Sequence, residues 1–324
     1  EKLNVLVVLA LTLPSISDEE LSLIEDATGP DGSVTVAKNI GEAMELSSDV
    51  DVILGHVPLQ LMQKSPRLKW VHSASSGVDI YSYPEFRESE IVLTGEKGLV
   101  GGHLADHGFG LLLTLTRNLH KAYKMGPDGW NHRPELRREE IELEGLTMGV
   151  VGFGGTGQAI AKRAAAFGMH CLALDNNEIP PTDDVQEVWT ITALNDLLCQ
   201  SDVVSICLPL TDETKKLFND EVFAQMKQGS ILVNVTRGEI VDDEALRRAL
   251  DSGHIRGAGL DVHTIEPVPP DHPFWNYDNV VMTPHTAGAS QLRSRRNIDR
   301  FVENIRRWKE ERPLLGIYDK QAGY

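Results

Sequence analysis

Cysteine is scarce in this chain of 324 residues: Cys171, Cys199 and Cys207 are its only three. They are too few and too scattered for a disulfide framework, and two of them lie in apolar runs. Buried thiols in a reducing, cytoplasmic compartment are therefore expected. Long apolar runs are missing as well, so no segment is long enough to cross a bilayer and no membrane partner is expected. The run from Leu3 to Leu13 superficially resembles the core of a signal peptide, but no small-residue cleavage site follows it. Pro14-Ser15-Ile16-Ser17-Asp18-Glu19-Glu20 comes next, a turn and a helix start, and this makes the run a buried first strand. Basic residues are in short supply, 31 Lys and Arg against 48 Asp and Glu, which leaves a formal net charge of −17. Nucleic acid needs a positive field and is excluded as a partner. The acid surplus suits either an ordinary acidic cytoplasmic enzyme or a halophilic one from a salt-rich cytoplasm. Self-repulsion at low salt inclines the reading to the second.

What remains is a soluble globular composition, 41% hydrophobic and 24% charged, with a length that suits roughly two domains. No internal repeat or low-complexity segment interrupts it. The most informative motif is Gly152-Phe153-Gly154-Gly155-Thr156-Gly157, a G-x-G-x-x-G placed directly after the apolar run Met148–Val151 and before a helical stretch, Gln158–Phe167. The first glycine permits a tight turn, the second lets backbone approach a pyrophosphate, and the third lets helix pack on strand. Phosphates would sit on the N–H groups at the helix start. The next apolar run, Met169–Leu174, ends in Asp175, whose carboxylate can take both adenosine ribose hydroxyls and repel a 2′-phosphate. The alternative, a structural glycine turn, does not account for strand, helix and acid in register.

About 150 residues precede the fingerprint. Up to about residue 95 they alternate strand candidates (Asn4–Leu9, Val34–Val36, Val52–Leu54, Trp70–Ser73, Ile91–Leu93) with helical stretches, which implies a parallel sheet covered on both faces. A single long helix, Gly101 to Lys124, and an irregular polar stretch, Gly126 to Glu140, are expected next. A second βαβ series follows with six strand candidates, Gly149–Val151, His170–Leu174, Val203–Cys207, Ile231–Val235, Gly257–Leu260 and Val280–Thr283. After it comes only one long helical segment, Ser290–Glu311. One helix cannot form a domain, and its return to the first domain would make that domain discontinuous.

Three strand-end segments carry the reactive side chains: Asn234-Val235-Thr236-Arg237-Gly238-Glu239, Asp261-Val262-His263-Thr264-Ile265-Glu266-Pro267 and Thr283-Pro284-His285-Thr286-Ala287-Gly288. Ligands of open parallel sheets bind beyond the carboxyl ends of the strands, so Arg237, Asp261, Glu266 and His285 can converge there. Arg237 offers a planar fork for a carboxylate, His285 exchanges a proton near neutral pH, and Glu266 can orient the ring. A surface ion pair and a structural histidine remain the alternative reading of the same residues.

These segments together resemble the D-isomer-specific 2-hydroxyacid dehydrogenase family. The likeness also runs through Ser75-Ser76-Gly77-Val78-Asp79, Glu144-Gly145-Leu146-Thr147-Met148-Gly149, Leu208-Pro209-Leu210-Thr211 with Thr214, and His272-Pro273-Phe274-Trp275. It implies an α/β fold of two domains, a flavodoxin-like substrate domain (1–98 and 287–324) split around a Rossmann dinucleotide-binding domain (99–286). It implies Arg237 as the substrate binder, His285 as the acid/base and Glu266 as its partner, with the Ser76-Gly77 backbone on the substrate carboxylate. Along the cofactor it places Gly152, Gly154, Gly155, Thr156, Gly157, Asp175, Leu208, Pro209, Thr214, Val235, Thr236, Asp261 and Gly288. The implied reaction is reversible reduction of a 2-keto acid to a D-2-hydroxy acid by NADH, with NADPH possible, in a homodimer.

Three departures stand out. Gly155 occupies a position where many members have arginine, Ala105-Asp106-His107 replaces Ala-Glu-His, and His263 replaces a common phenylalanine. Other readings of the likeness are a formate dehydrogenase, which Glu266 in place of glutamine disfavours, a phosphoglycerate dehydrogenase, and a dinucleotide-sensing corepressor. His103 and His107, i and i+4 beside Asp106, have a spacing zinc can use but no obvious third ligand, so no metal is expected. Trp130 reads equally as a surface aromatic or as a group reaching a partner subunit's pocket. Arg293-Ser294-Arg295-Arg296 reads as a solvated helix face.

Overall fold

A computed structural model describes residues 2–324. They form two compact units: the chain up to Val100 together with Ala289–Tyr324, and Gly101–Gly288. The first unit begins with β1 (Asn4–Val8), α1 (Asp18–Thr28), β2 (Ser33–Ala37), α2 (Ile40–Leu46), β3 (Val52–Leu54), α3 (Leu59–Lys64), β4 (Trp70–His72), α4 (Pro84–Arg87) and β5 (Val92–Thr94). Its sheet is parallel throughout, in the order β2-β1-β3-β4-β5, the flavodoxin-like arrangement. Local signals set the helix starts. Ser17 caps α1 in a reciprocal box with Glu20, and Asn39 caps α2 by accepting from the Glu42 amide. The central strands β3 and β4 are buried along their whole length, as strands covered on both faces must be.

The second unit opens with α5 (Gly101–Thr116), α6 (Leu119–Met125) and α7 (Arg133–Glu139). The continuous helix expected to Lys124 is thus broken. The Thr116 hydroxyl bonds back to the Leu112 carbonyl, and Asn118 takes a left-handed conformation (φ 49°) that asparagine tolerates better than most residues. The stretch expected to be irregular holds a short 3₁₀ turn, Gly126–Trp130, and the helix α7. Pro134 in the first turn of α7 and Arg137 and Arg138 in its last suit the helix ends, although the helix shows no buried face.

Then come β6 (Thr147–Val151), α8 (Gly155–Ala166), β7 (His170–Asp175), β8 (Val188–Thr190), α9 (Leu194–Gln200), β9 (Val203–Ile206), α10 (Asp220–Gln225), β10 (Ser230–Asn234), α11 (Asp243–Asp251), β11 (Ile255–Leu260) and β12 (Val280–Met282). The parallel sheet has seven strands rather than six, in the order β12-β11-β10-β9-β6-β7-β8. The additional edge strand β8 is three residues long and emerges from a polar stretch that offers no periodicity. From β8 inward through β7, β6, β9, β10 and β11 the order is that of a doubly wound Rossmann sheet, and it reverses between β6 and β9.

The last helix, α12 (Arg293–Lys309), belongs to the first unit. It buries Ile298, Phe301, Val302 and Ile305 in a cluster with Val5, Ile24 and Trp70, and Trp308 stacks on Trp70 at 5.7 Å. Arg293 is not part of a solvated face: its guanidinium forks onto buried Glu96 (Nε–Oε1 2.9 Å), and its side chain is only 14% exposed. Arg295 and Arg296 do lie on the exposed face, Arg295 paired with Glu19 and Asp299. Cys171 and Cys207 are half-buried and Cys199 is exposed, so the expectation of buried thiols holds only in part. Among the described residues no helix is long and apolar enough to cross a membrane.

Candidate active site

The glycine loop joins β6 to α8 at the point where the sheet order reverses. Its geometry admits no side chains at two positions. Gly152 has φ +95°, and a Cβ there would lie 2.7 Å from the Cys207 carbonyl oxygen; a Cβ on Gly157 would lie 2.1 Å from Gly152 O. Gly154 differs, because nothing lies within 4 Å of the place its Cβ would occupy. That open space faces the start of α8, whose first turn carries no side-chain cap. An uncapped helix start with backbone accessible beside it fits a pyrophosphate. Asp175 ends β7 nearby. Its Oδ2 accepts from the Phe153 amide at 2.8 Å, and its Oδ1 from the amide (2.8 Å) and side chain (3.1 Å) of Asn177. The carboxylate is thereby anchored to the glycine loop itself. On the other side of the switch point, Leu208 packs on Gly152, and the Thr214 hydroxyl locks the following loop by donating to Pro209 O at 2.7 Å.

The three reactive segments leave the carboxyl ends of β10, β11 and β12, which are adjacent in the sheet. Buried Asn234 shapes the first of them. Its side chain donates to Arg237 O at 2.8 Å and accepts from the Thr236 amide at 3.1 Å. Arg237 itself is half-buried and donates through Nη1 to Thr236 O. A Cβ on Gly238 would fall 2.0 Å from the His263 carbonyl carbon, so only glycine lets this loop lie against the end of β11. Val235 is buried beneath it.

Glu266 and His285 meet directly: His285 Nδ1 lies 2.8 Å from Glu266 Oε2, and the other Glu266 oxygen accepts from the His263 amide at 2.9 Å. Both side chains remain partly open to solvent, 44% for His285 and 36% for Glu266. His263 spans the two loops, with Nε2 2.9 Å from Thr283 O. His285 sits at φ +53°, a left-handed conformation that costs a non-glycine residue free energy.

Asp261 lies against the His285 turn, its backbone oxygen accepting the His285 amide at 2.8 Å. It is fully buried and its carboxylate is spent on its own protein, accepting from Thr283 Oγ1 (2.6 Å), the Thr286 amide (2.9 Å) and the Ala287 amide (2.8 Å). Burial pushes its pKa up. Hydrogen bonds from His107, Thr283 and the two amides outweigh this and hold the carboxyl below its usual range. His107 on α5 is drawn into this cluster, with Nε2 2.8 Å from Thr283 Oγ1. Among the described residues no group of three His, Cys, Asp or Glu is placed to hold a metal ion. Asn234 and the His107–Thr283–Asp261 cluster are residues whose roles the sequence reading missed. For Asn234 a signal existed, since an asparagine two residues before Thr236 offers an Asx turn.

Ser76 and Gly77 lie in the first unit, in the loop after β4. Ser73 Oγ accepts from the Ser75 amide there, and Tyr318 donates to Ser76 O at 3.3 Å. Gly288 closes the second unit.

Comparison with known proteins agrees with this arrangement. Residues 109–287 match the model of the D-isomer specific 2-hydroxyacid dehydrogenase, NAD binding domain. A glyoxylate reductase of Thermofilum pendens is 37% identical over 251 residues, 77% of this chain and 74% of that protein. A hydroxypyruvate reductase of Thermotoga maritima is 35% identical over 272 residues, 82% of this chain and 86% of that one. The crystal structure of a D-isomer specific 2-hydroxyacid dehydrogenase from Xanthobacter autotrophicus Py2, in complex with NADPH and MES, superposes with a TM-score of 0.81 at 27% identity, covering 99% of each chain. A split α/β fold, a dinucleotide cradle at the sheet's switch point and this likeness along most of the chain converge: it belongs to the D-isomer-specific 2-hydroxyacid dehydrogenase family and is an NAD(P)-dependent enzyme.

Proposed function

We propose that the enzyme reversibly reduces small 2-keto acids of the glyoxylate and hydroxypyruvate kind to D-2-hydroxy acids. The observation that carries this reading is the 2.8 Å contact between His285 Nδ1 and Glu266 Oε2, set at strand ends next to the loop of Arg237. NADH or NADPH, when bound along the glycine loop, supplies the hydride for C2 of the keto acid. Arg237 holds the substrate carboxylate and carbonyl with its planar fork. With Nδ1–H given to Glu266, His285 presents Nε2 as the atom that protonates the developing alkoxide. Glu266 fixes the ring and stabilises its charge, while the His263 amide fixes Glu266. Asp175 favours NAD over NADP by taking the ribose hydroxyls and repelling a 2′-phosphate.

A cytoplasmic homodimer is part of the proposal. Leu119 and Tyr123, one helical turn apart on α6, and Trp130 in the 3₁₀ turn that follows are 53%, 91% and 77% exposed, large apolar groups available to a second copy.

The test is turnover: loss of reduced-nicotinamide absorbance with NADH or NADPH, glyoxylate, hydroxypyruvate and a panel of larger 2-keto acids, in dilute and molar KCl. Oxidation with the two small acids is expected. No oxidation with any keto acid in either salt overturns the reading in favour of a dinucleotide sensor.

A further inference from the structure

The strained turn that carries His285 has a specific support. Asp261 accepts the His285 amide on its backbone oxygen at 2.8 Å, and its carboxylate caps the two amides that follow, those of Thr286 and Ala287. All three N–H groups from 285 to 287 therefore close on one buried residue, while His285 holds φ +53°. Bond direction along the rest of the cluster follows from donor counting. Thr283 Oγ1 has one proton, and at 2.6 Å it goes to Asp261 Oδ1, which has none to give. Toward His107, 2.8 Å away, the hydroxyl can then only accept. His107 Nε2 therefore carries a proton, shared between Thr283 Oγ1 and Asp261 Oδ1, which lies 3.3 Å from it. A helix from the far side of the unit's sequence thus donates into the anchor of the His285 turn.

We infer that His107 is a positioning residue for His285, acting through Thr283 and Asp261 without touching substrate. The inference rests on the acid/base role proposed above for His285. The His107 N–H completes the hydrogen bonding of a buried carboxylate whose orientation decides where the Thr286 and Ala287 amides are held, and through them the turn that carries the imidazole. Loss of that donor leaves the Asp261 carboxylate free to turn and the His285 turn free to relax toward an unstrained conformation. Misplacement of a reacting group by a small distance costs rate far more than binding.

The test uses His107→Leu, which keeps the bulk and removes the N–H, and His107→Gln, whose amide can donate in its place. The expected result for His107→Leu is a fall in kcat of about 10-fold or more on glyoxylate, with NADH Kd and the thermal midpoint near those of the wild type. His107→Gln is expected to restore most of the lost kcat. Unchanged kcat in His107→Leu overturns the inference. So does a loss matched by a lower thermal midpoint and left unrescued by glutamine, the signature of a merely structural histidine. These failures leave the proposed function standing so long as the wild type turns over and His285→Ala does not. A wild type inactive on every 2-keto acid removes both.

Discussion

His285 Nδ1 and Glu266 Oε2 stand 2.8 Å apart although they belong to loops after different strands, β12 and β11. The contact spends one ring nitrogen on the carboxylate and leaves Nε2 for the proton transfer proposed above. His285→Ala is therefore expected to lower kcat by about 10³-fold, and Glu266→Gln by about 10²-fold, with NADH binding close to unchanged in both. Steady-state rates on glyoxylate, set beside fluorescence titration with NADH, check this. An active His285→Ala enzyme means the acid has been assigned to the wrong residue.

Gly238 supplies a second expectation, because a methyl group there meets His263 main chain at 2.0 Å and main chain cannot swing aside as a side-chain tip can. Gly238→Ala should push the Arg237 loop away from the end of β11. A KM for glyoxylate raised about 10-fold or more, together with a lower thermal midpoint, is the expected outcome. Wild-type kinetics in this variant contradict the packing described for the loop.

Asp175 holds the third. Replacing it with alanine removes the charge that opposes a 2′-phosphate, so NADH should weaken, NADPH improve, and the ratio of kcat/KM values move by about 10-fold or more toward NADPH. Because the same carboxylate braces the Phe153 amide, some loss with both cofactors is expected as well. A ratio that does not move excludes its ribose role.

His72, at the end of β4, gives a pH dependence. It is fully buried, and burial, followed by the charge of Arg300, lowers its pKa to about 3 from the usual 6.5. The unfolded chain therefore takes up this proton first. Stability should fall as the pH drops from 6.5 toward 3, at about 1.4 kcal/mol per pH unit from this residue alone. Urea unfolding of the wild type and of His72→Leu between pH 7.5 and 5 isolates the effect: the variant should show the shallower slope. Parallel slopes exclude His72 as the source.

The net charge of −17 yields the last. If the surface is adapted to salt, thermal midpoint and activity should climb with KCl into the molar range, where the Debye length shrinks to about 3 Å. A midpoint already maximal in dilute buffer sinks that reading.

The fold class was legible because its signals are local. Alternating apolar runs mark strands buried on both faces, and G-x-G-x-x-G placed between strand and helix marks the switch point of the sheet. What escaped depends on tertiary context. The break at Asn118 needs a left-handed residue in a segment whose apolar spacing runs on undisturbed, and α7 forms without a buried face. β8 is too short to show a period. At the site, residue types and strand-end positions pointed to Arg237, Glu266 and His285, and the structure brings Glu266 and His285 into contact. For Asp261 the sequence shows only a carboxylate at a strand end, and the folded chain adds its donors, the Thr283 hydroxyl, the Thr286 and Ala287 amides and His107. Arg293 was misjudged because its partner Glu96 lies far away in sequence.

The helix α12 has a consequence for how the protein comes into being. Trp70, Ile24 and Val5 are synthesised early, yet the side chains that cover them, from Ile298 to Trp308, leave the ribosome only after the whole Gly101–Gly288 unit. Domains usually mature in the order of their synthesis. Here the Gly101–Gly288 unit can finish first, and the sheet of the first unit must wait, one face unsealed, until α12 has been made.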